Sequence, residues 1–342
     1  MDYTIIDSLK IVSDKQDLSF EQALQAMNYI MDGKATDAQI AGFLIALKMK
    51  IETAEEIAAF AKAMRLHADK VIGGEKALDI VGTGGDMADT FNVSTTSAIV
   101  ISACGIPVAK HGSHSSSGKC GAADVLKQLG VKLGTSPATD KKMLDEIGIC
   151  FMYAPRHHSS MKYVTPARKQ LGVPTLFNIL GPLANPAGVG VQMIGAYSRS
   201  LAYKMAKVLK ILGTSRSRVI TGDDGLDEVS LTTSTTIFDI VNGDIVESRF
   251  DPAEYGFKYC SIDKLKGGDA EYNAKIALEV LNGVRNEKRD MILINSALAI
   301  NTYSSEYSIK DAIKMAEDAI DSGKAKNQLE KMIEMSNSEK EE

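Results

Sequence analysis

The first seventy residues place apolar side chains at helical spacing. Ile40, Phe43, Leu44 and Leu47 recur every three or four positions, which puts them on one face of a helix. A Ser or Thr followed three residues later by Gln or Glu is a capping box that starts a helix. Three such pairs occur: Ser19 with Gln22, Thr36 with Gln39, and Thr53 with Glu56. Together with a helix from about Tyr3 to Val12, they predict a small helical bundle.

From Leu78 onward, short β-type runs alternate with helical segments. The predicted strands are Leu78–Val81, Pro107–Ala109, Ile149–Tyr153, Val191–Ala196, Arg218–Thr221, Thr236–Val241 and Ile245–Arg249. Helices are predicted at 122–129, 271–282, 290–302 and 308–322. This alternation is typical of an α/β domain with a largely parallel sheet. Asn242-Gly243 between the last two runs predicts a hairpin, so the sheet should be mixed.

The predicted fold class is therefore α/β with two domains. A small N-terminal all-helical domain is expected at 1–72, and a larger α/β domain at 73–335, with a central, mostly parallel mixed sheet flanked by helices. The tail at 336–342 is polar and is expected to be flexible. The length of 342 residues agrees with about two domains.

Composition narrows the class of protein. Apolar residues at 44% and charged residues at 24% are ordinary for a soluble globular protein. A net charge of -5 argues against a protein that binds nucleic acid through electrostatics. No apolar run has membrane-spanning length, and residues 1–15 do not have the pattern of a signal peptide. The four cysteines lack metal-ligand spacing, so reduced thiols in a cytoplasmic protein are expected.

A glycine-rich stretch, Gly82-Thr83-Gly84-Gly85-Asp86, follows the first predicted strand and precedes a hydroxyl-rich helix start. Such a turn presents backbone N–H groups and a helix N-terminus to an anion. It is not a P-loop, and Met87 stands where a dinucleotide fingerprint requires glycine. Asp86 would repel phosphate unless a metal ion or a ribose hydroxyl came between. The alternative is a plain turn between strand and helix.

A second stretch, 110–121, contains two lysines, two histidines, four serines and three glycines. It offers many hydrogen-bond donors and little bulk, which suits a polyanion. The alternative is a flexible solvated linker. Its place between a strand and a helix favours ligand binding, because open α/β sheets bind ligands at the carboxyl ends of their strands.

A third stretch, 223–228, carries four carboxylates within six residues, directly after a predicted strand. These are Asp223, Asp224, Asp227 and Glu228. Their mutual repulsion would be relieved by a divalent cation, and Mg²⁺ is typically held by one or two carboxylates plus substrate phosphates. A solvated acidic turn is the alternative. Taken together, the three stretches indicate a phosphate-bearing substrate and Mg²⁺.

These stretches, with others in the same order, resemble the anthranilate phosphoribosyltransferases of glycosyltransferase family 3, over nearly the whole chain. The further motifs are Asn92-Val93-Ser94-Thr95, Lys110-His111-Gly112, Ala123-Asp124-Val125-Leu126, Pro166-Ala167-Arg168 with Leu171-Gly172, 177–183 with Asn185-Pro186, and 225–228. The related pyrimidine nucleoside phosphorylases share the fold, but their Ser-Gly-Arg and Asp-Lys-Leu-Glu signatures are missing.

The resemblance implies transfer of a phosphoribosyl group from phosphoribosyl pyrophosphate to anthranilate, in tryptophan biosynthesis. It also implies a homodimer formed through the helical domain, with segments near 157–186 returning to that domain and the substrates in the cleft between domains. Three alternatives stay open: a different aromatic acceptor, a nucleoside phosphorylase, and a non-catalytic member that binds nucleic acid or a regulatory ligand.

The resemblance further implies site residues. Those for phosphoribosyl pyrophosphate are Gly82, Gly85, Asp86, Thr90, Asn92, Val93, Ser94, Thr95, Lys110, His111, Gly112, Ser113, His114, Ser115, Ser116, Ser117, Gly118 and Ala122. Those for anthranilate are Gly82, Ser113 and Arg168, with Arg168 pairing with the carboxylate. Ser94, Asp227 and Glu228 would hold two Mg²⁺ ions. No general acid or base is assigned, because the amine attacks as pyrophosphate leaves.

One departure bears on the substrates. The family usually has Asn-Arg after Lys-His-Gly, whereas this chain has Ser113-His114. The exchange leaves the acceptor and the substrate affinity open. If His114 faces the phosphates, binding of phosphoribosyl pyrophosphate should weaken as the pH rises and the imidazole loses its charge. His67 is interpreted as structural, and His157 and His158 are left without a role.

Overall fold

The computed structural model describes residues 3–115 and 118–339. Its N-terminal part consists of α1 (Ile5–Ser13), α2 (Phe20–Met31), α3 (Asp37–Lys50) and α4 (Ala54–Leu66). The three predicted capping boxes are confirmed at the starts of α2, α3 and α4. Each box satisfies backbone N–H groups that the first helical turn leaves without a partner.

Seven strands form one sheet in the order β3-β2-β1-β4-β5-β6-β7. The strands are β1 (Leu78–Gly82), β2 (Val108–Gly112), β3 (Ile149–Tyr153), β4 (Val191–Gly195), β5 (Arg216–Gly222), β6 (Thr235–Val241) and β7 (Asp244–Phe250). β1 to β5 run parallel, and β6 and β7 are antiparallel. The hairpin predicted at Asn242-Gly243 is confirmed, with both residues at positive φ (51° and 83°), as its tight turn requires. The fold class is thus the predicted one.

Eleven further helices lie among and after the strands in the described part of the chain. They are α5 (Val93–Ala103), α6 (Ala122–Gln128), α7 (Pro137–Ile147), α8 (Ala154–His157), α9 (Thr165–Leu171), α10 (Phe177–Leu180), α11 (Arg199–Leu212), α12 (Ala270–Leu281), α13 (Glu287–Tyr303), α14 (Ile309–Asp321) and α15 (Lys324–Asn337). No helix within 3–115 and 118–339 combines the length and apolar character that a membrane crossing needs.

The expected flexible tail at 336–342 is corrected for its first four residues. α15 continues to Asn337, and the buried Ser336 hydroxyl accepts a hydrogen bond from Lys132 N at 3.0 Å. The Glu339 carboxylate accepts from Ser136 N at 3.0 Å and caps the region where α7 begins. The polar composition of the tail does not indicate these contacts, because each depends on a partner about two hundred positions away in the chain. Residues 340–342 lie outside the described residues.

The sheet separates two hydrophobic clusters. Met193 of β4 belongs to the cluster that contains α5, α13 and α15, whereas its neighbour Ile194 belongs to the cluster that contains α1 to α4 and α11. This division follows from the alternation of side chains along a strand. Val164, Ala167 and Phe177 join the second cluster, so the segment around α9 and α10 packs on the N-terminal helices. The carboxyl ends of β1, β2, β4 and β5 therefore meet at one edge, beside this segment.

Candidate functional site

Two cavities adjoin at this carboxyl edge. The first, of about 580 Å³, is lined by Met64, Val81, Gly82, Thr83, His111, Gly112, Ser113, His114, Ala154, Pro155, His158, Ser159, Met161, Lys162, Thr165, Arg168, Phe177, Asn178, Gly181 and Pro182. The second, of about 160 Å³, is lined by Gly84, Gly85, Asp86, Met87, Asp89, Thr90, Ser115, Gly118, Lys119, Cys120, Asp227, Gly268 and Asn273. The loops after β1 and β2 contribute to both, so they form the wall that the cavities share.

The predicted ligand residues divide between these cavities. All three residues expected for anthranilate (Gly82, Ser113 and Arg168) line the first. Of those expected for phosphoribosyl pyrophosphate, the second cavity receives Gly85, Asp86, Thr90, Ser115 and Gly118. Five others in that set line the first cavity instead: Gly82, His111, Gly112, Ser113 and His114. Asn92, Val93, Ser94, Thr95, Lys110, Ala122 and Glu228 line neither of the two cavities. Ser116 and Ser117 lie outside the described residues.

The acidic stretch 223–228 separates into two pairs with different surroundings. Asp223 accepts hydrogen bonds from Ser234, Thr236 and Arg249, and Asp224 accepts from Ser230 and Thr232. Asp224 therefore stabilises its own loop, and Asp223 connects that loop to Thr236 in β6 and Arg249 in β7. Asp227 and Glu228 instead reach across to the other two loops: Gly84 N donates to Asp227 Oδ2 at 2.6 Å. Ser94 N, at the start of α5, donates to Glu228 Oε1 at 3.2 Å.

Two glycines make room for Asp227. A Cβ on Gly195, the last residue of β4, would lie 1.6 Å from the Asp227 carbonyl oxygen. A Cβ on Gly82, at the end of β1, would lie 2.2 Å from Asp227 Oδ2. Real Cβ contacts are never this short, so Asp227 reaches the glycine loop only because both strand ends lack side chains.

The carboxylates of Asp86, Asp227 and Glu228 lie close together in buried surroundings, which disfavours the charged forms of Asp227 and Glu228. Burial, with the neighbouring Asp86, raises the pKa of Asp227 to about 7. Burial and the Asp227 charge also raise the pKa of Glu228 well above its ordinary value. Asp86 Oδ1 accepts from Ala88 N at 3.1 Å, but its buried Oδ2 has no partner among the described residues. Hard oxygen donors in this state fit Mg²⁺.

A metal held here would need additional oxygens. Within 3–115 and 118–339, no three side chains of His, Cys, Asp and Glu are grouped closely enough to ligate one ion by themselves. This agrees with Mg²⁺, which usually keeps several waters and shares substrate phosphates with one or two carboxylates. The Ser94 hydroxyl, next to Glu228, is the predicted non-carboxylate donor.

Lys110 and His111 lie in β2, not in the loop to which they had been assigned. The strand continues to Gly112 because it pairs with β3 up to Tyr153. The Lys110 ammonium is buried, donating to Ile80 O at 2.6 Å and approaching Ser94 Oγ at 3.4 Å. Burial lowers its pKa, opposed by the charges of Asp79 and Glu228. Its side chain thus lies beneath the site, where its positive charge interacts with the carboxylates of Asp79 and Glu228.

His114 is bound within its own loop region. Its Nδ1 lies 2.5 Å from Asp124 Oδ1, and its ring contacts the edge of Tyr153 at 5.4 Å between centroids. The imidazole lines the first cavity and not the second. In this structure the ring thus contacts Asp124 and Tyr153, and the hypothesis that His114 faces the phosphates stays a prediction. The substitution at Ser113 likewise falls in the first cavity.

Arg168 reaches the first cavity from α9 and has no ion-pair partner within 3–115 and 118–339. Its guanidinium lies 5.4 Å above the Phe177 ring centroid. Burial lowers its pKa, and no carboxylate in the described part of the chain contributes to the shift. A partly buried cation whose charge the protein does not balance favours an anionic ligand.

The adjacent histidines have different surroundings. His157 is buried between Asp140 Oδ2 at 2.8 Å and the Asp69 carbonyl at 2.7 Å, which makes it a packing residue. His158 lines the first cavity and contacts His111 at 5.1 Å between ring centroids. Burial lowers the pKa of His158 to about 4 and that of His111 well below its usual value, so both rings are neutral. His67 bonds Asn28 at 3.2 Å, as a structural residue would.

Sequence reasoning missed the wall of the second cavity that comes from the far end of the chain. Gly268 and Asn273 lie there, with Lys119 and Cys120 from the second loop. The one available signal was Gly267-Gly268 directly before a capped helix. It carries no chemistry by itself, so it did not stand out.

Comparison with known proteins identifies relatives across the whole chain. Residues 6–68 match the model described as glycosyl transferase family, helical bundle domain, and residues 74–326 match glycosyl transferase family, a/b domain. The anthranilate phosphoribosyltransferase of Ruminiclostridium cellulolyticum is 49% identical over 334 residues, covering 98% of each chain.

Solved structures agree with this result. The anthranilate phosphoribosyltransferase of Thermus thermophilus superposes with a TM-score of 0.91 at 34% identity, covering 97% of this chain and 99% of that one. The Saccharomyces cerevisiae enzyme in complex with PRPP and Mg has a TM-score of 0.90 at 32% identity, with 98% of both chains covered. Its complex with 4-fluoroanthranilate has a TM-score of 0.86 at 31% identity, covering 97% and 98%.

The close approach of Asp227 to Gly195 predicts a specific sensitivity. Gly195→Ala should lower the free energy of unfolding by about 3 kcal/mol, because a methyl group must displace either β4 or the loop around Asp227. Urea denaturation measures the change. Gly42→Ala in α3 is the control, since its nearest atom lies at 3.7 Å, and it should not destabilise. Equal stability of Gly195→Ala and wild type would contradict this packing.

Proposed function

The chain belongs to the glycosyl transferase family that includes the anthranilate phosphoribosyltransferases, and on that premise we propose that it is a cytoplasmic, Mg²⁺-dependent pentosyltransferase. It transfers the phosphoribosyl group of 5-phosphoribosyl 1-pyrophosphate to the amine of anthranilate, releasing pyrophosphate, as a step of tryptophan biosynthesis. The observation that carries the proposal is the pair of adjoining cavities. Asp86 and Asp227 line one beside a glycine loop, Arg168 lines the other, and none of the three has an ion-pair partner among the described residues.

The second cavity is the site proposed for phosphoribosyl pyrophosphate. Gly85, Asp86 and Thr90 after β1, and Ser115 and Gly118 after β2, surround it. Ser94, Asp227 and Glu228 would hold two Mg²⁺ ions. When bound, Mg²⁺ neutralises the diphosphate and stabilises the charge that develops on pyrophosphate as it leaves. The buried Lys110 ammonium keeps Glu228 from being surrounded by negative charge alone.

The first cavity is the site proposed for anthranilate. Arg168 would pair with the carboxylate, in the planar two-donor geometry that a guanidinium supplies. Phe177 and Pro182 give the aromatic ring an apolar surface, and Gly82 lies in the wall shared with the second cavity. The anthranilate amine would thus face the anomeric carbon where the two cavities meet. Its nitrogen forms the new bond to that carbon as the C–O bond to pyrophosphate breaks, and the extra proton on the nitrogen passes to solvent or to the released pyrophosphate.

Positioning of the two substrates accounts for much of the rate. Holding two reactants in line at contact distance replaces a bimolecular encounter with an intramolecular step. Positive charge develops on the ribose ring and negative charge on the leaving group, so the carboxylates and backbone donors of the second cavity stabilise both. No residue is assigned as general base, because an aromatic amine attacks through its neutral lone pair.

The direct test follows the loss of anthranilate fluorescence with phosphoribosyl pyrophosphate and Mg²⁺. Turnover that requires all three components is the expected result. Consumption of uridine or thymidine with free phosphate, and none of anthranilate, would overturn the proposal in favour of a nucleoside phosphorylase. The exchanges at Ser113 and His114 lie in the first cavity, so a panel of substituted anthranilates should be assayed in parallel.

Substitution of Asp227 or Glu228 should change how the activity depends on Mg²⁺, whereas substitution elsewhere in the acidic stretch 223–228 should not. Chelation by EDTA should abolish turnover, and Asp227→Asn or Glu228→Gln should raise the Mg²⁺ concentration that gives half-maximal rate. Asp224→Asn is the matched control, because Asp224 bonds Ser230 and Thr232 within its own loop. Its Mg²⁺ titration should match wild type. Wild-type titrations for both site variants would remove them from the metal site.

Arg168→Ala should act on one substrate only. Loss of a charge-assisted hydrogen-bonded pair of about 2 kcal/mol corresponds to a roughly thirtyfold higher KM for anthranilate. The KM for phosphoribosyl pyrophosphate should stay close to wild type. Lys169→Ala, at the exposed neighbouring position, is the control. Equal increases in both KM values would show that Arg168 supports the fold and does not bind the acceptor.

We further propose a homodimer formed through a helical domain at 1–72. An apolar groove of about 470 Å³ on α1 and α3 supports it, lined by Val12, Ser13, Lys15, Ala41, Gly42, Ile45, Ala46, Met49 and Leu171. Met49 is 73% exposed, so the groove includes a large apolar side chain that a partner surface would cover. Segments near 157–186 would extend the domain, as their packing on it suggests.

Light scattering tests the dimer. Wild type should show a molar mass near twice the 36.8 kDa of one chain. Met49→Glu should give the single-chain mass, because a carboxylate in an apolar interface loses its hydration. Val246→Glu replaces an exposed apolar residue on β7 and should leave the mass unchanged. A wild-type monomer, or a Met49→Glu dimer, would exclude this interface.

A further inference from the structure

Asn273 is a buried polar residue that the proposed chemistry does not use. It lies in the first turn of α12, is 3% exposed, and lines the second cavity. Its Oδ1 accepts a hydrogen bond from Gly268 N at 2.7 Å, and its Nδ2 donates to Asn92 Oδ1 at 2.9 Å. Its amide orientation is therefore set by two partners on different segments.

Asn92 continues the connection to the loop between β2 and α6, residues 113–121. Its Nδ2 donates to the Cys120 carbonyl at 3.1 Å, and its Oδ1 also accepts from the Cys120 thiol at 3.3 Å. Both atoms of the Asn92 amide thus already have protein partners. A continuous series of hydrogen bonds therefore leads from α12, past the start of α5, to that loop. It connects Gly268, Asn273, Asn92 and Cys120 in this order.

The backbone around Asn273 is arranged to permit this connection. Residues 265–268 lie against 89–91, with Phe91 N donating to Leu265 O at 3.2 Å and Gly267 N donating to Asp89 O at 2.8 Å. A Cβ on Gly267 would lie 2.6 Å from Asn273 Oδ1 and 2.8 Å from Phe91 Cα. The two segments approach so closely because position 267 has no side chain.

We propose that Asn273 is a positioning residue for phosphoribosyl pyrophosphate, acting through Asn92 on Cys120 in the loop after β2; this rests on the proposed function. The loop brings Ser115 and Gly118 to the second cavity. With the Asn92 amide held by Asn273, the Cys120 carbonyl is fixed before substrate arrives, so less ordering is needed on binding. Without Asn273, the Asn92 side chain can rotate and the loop loses its attachment to the opposite wall.

The contribution should appear in the affinity for one substrate. Removing one hydrogen-bond partner from a buried amide costs enough to weaken binding about tenfold. Asn273→Ala should therefore raise the KM for phosphoribosyl pyrophosphate about tenfold. The KM for anthranilate should rise much less, because Asn273 and Cys120 line the second cavity and not the first. Calorimetric titration with phosphoribosyl pyrophosphate and Mg²⁺ should give the same loss of affinity without any turnover.

Asn273→Ser is a second variant that introduces no charge. It loses the amide hydrogen given to Asn92 Oδ1, while its hydroxyl can donate to the backbone carbonyl one helical turn earlier. It should lose about as much affinity as Asn273→Ala. If Asn273→Ala folds poorly, Asn273→Ser carries the comparison. Asn282→Ala, at the other end of α12 and bonded to Leu278 O, is the control and should match wild type.

A double-mutant cycle with Asn92→Ala tests the connection itself. If Asn273 acts through Asn92, the double variant should bind phosphoribosyl pyrophosphate no more weakly than Asn92→Ala alone. Additive losses, wild-type affinity in both Asn273 variants, or equal increases in both KM values together with a lower Tm would each overturn the inference. Because affinity is measured by calorimetry, a wild-type protein that binds phosphoribosyl pyrophosphate but does not consume anthranilate would refute the proposed function alone.

Discussion

The seating of Asp227 against the glycine loop is the contact on which the site depends. Two strands end in residues without side chains, Gly82 in β1 and Gly195 in β4, and the acidic loop after β5 enters the space between them. The result is a buried carboxylate bonded to Gly84 N, with Asp86 and Glu228 nearby. Such a cluster is costly when ligand-free, and a divalent cation with a polyphosphate removes that cost. The cost of burying these acids together is thus the physical basis of the proposal that a metal-bound diphosphate binds here.

The shared wall between the cavities explains how one edge of a sheet serves two unlike substrates. The loops after β1 and β2 each present one end to the apolar cavity with Arg168 and the other end to the carboxylates. A displacement reaction needs its nucleophile and its leaving group on opposite sides of one carbon, and this partition supplies that arrangement. The hydrogen bonds of Asn273 and Asn92 add to this arrangement, because they attach Cys120 in the loop after β2 to α12 on the opposite side of the second cavity.

The exchange of the usual Asn-Arg for Ser113-His114 acts on the acceptor side of that wall. An arginine is long and always charged, whereas His114 is short enough to be held by Asp124 and Tyr153. Asp124 also accepts from Gly121 N at 2.8 Å at the start of α6, so the imidazole joins an existing capping contact. The position therefore shapes the cavity proposed for anthranilate and adds no charge to the one proposed for phosphoribosyl pyrophosphate.

Local rules in the sequence determined the elements and the chemical class. Capping pairs such as Thr36 with Gln39, the Asn242-Gly243 turn and the alternating runs predicted helices, hairpin and mixed sheet, because these depend on neighbours within a few residues. The glycine loop and the acidic stretch predicted a phosphate and a metal for the same reason. Only the tertiary structure decided that Asp223 and Asp224 bond hydroxyls and Arg249 around the loop after β5, that the buried Lys110 ammonium donates to Ile80 O, and that His114 lies against Asp124. It also brought Asn273 to Asn92, 181 positions away in the chain. Side-chain direction and long-range partners follow from how strands are ordered and loops meet, which local spacing does not encode.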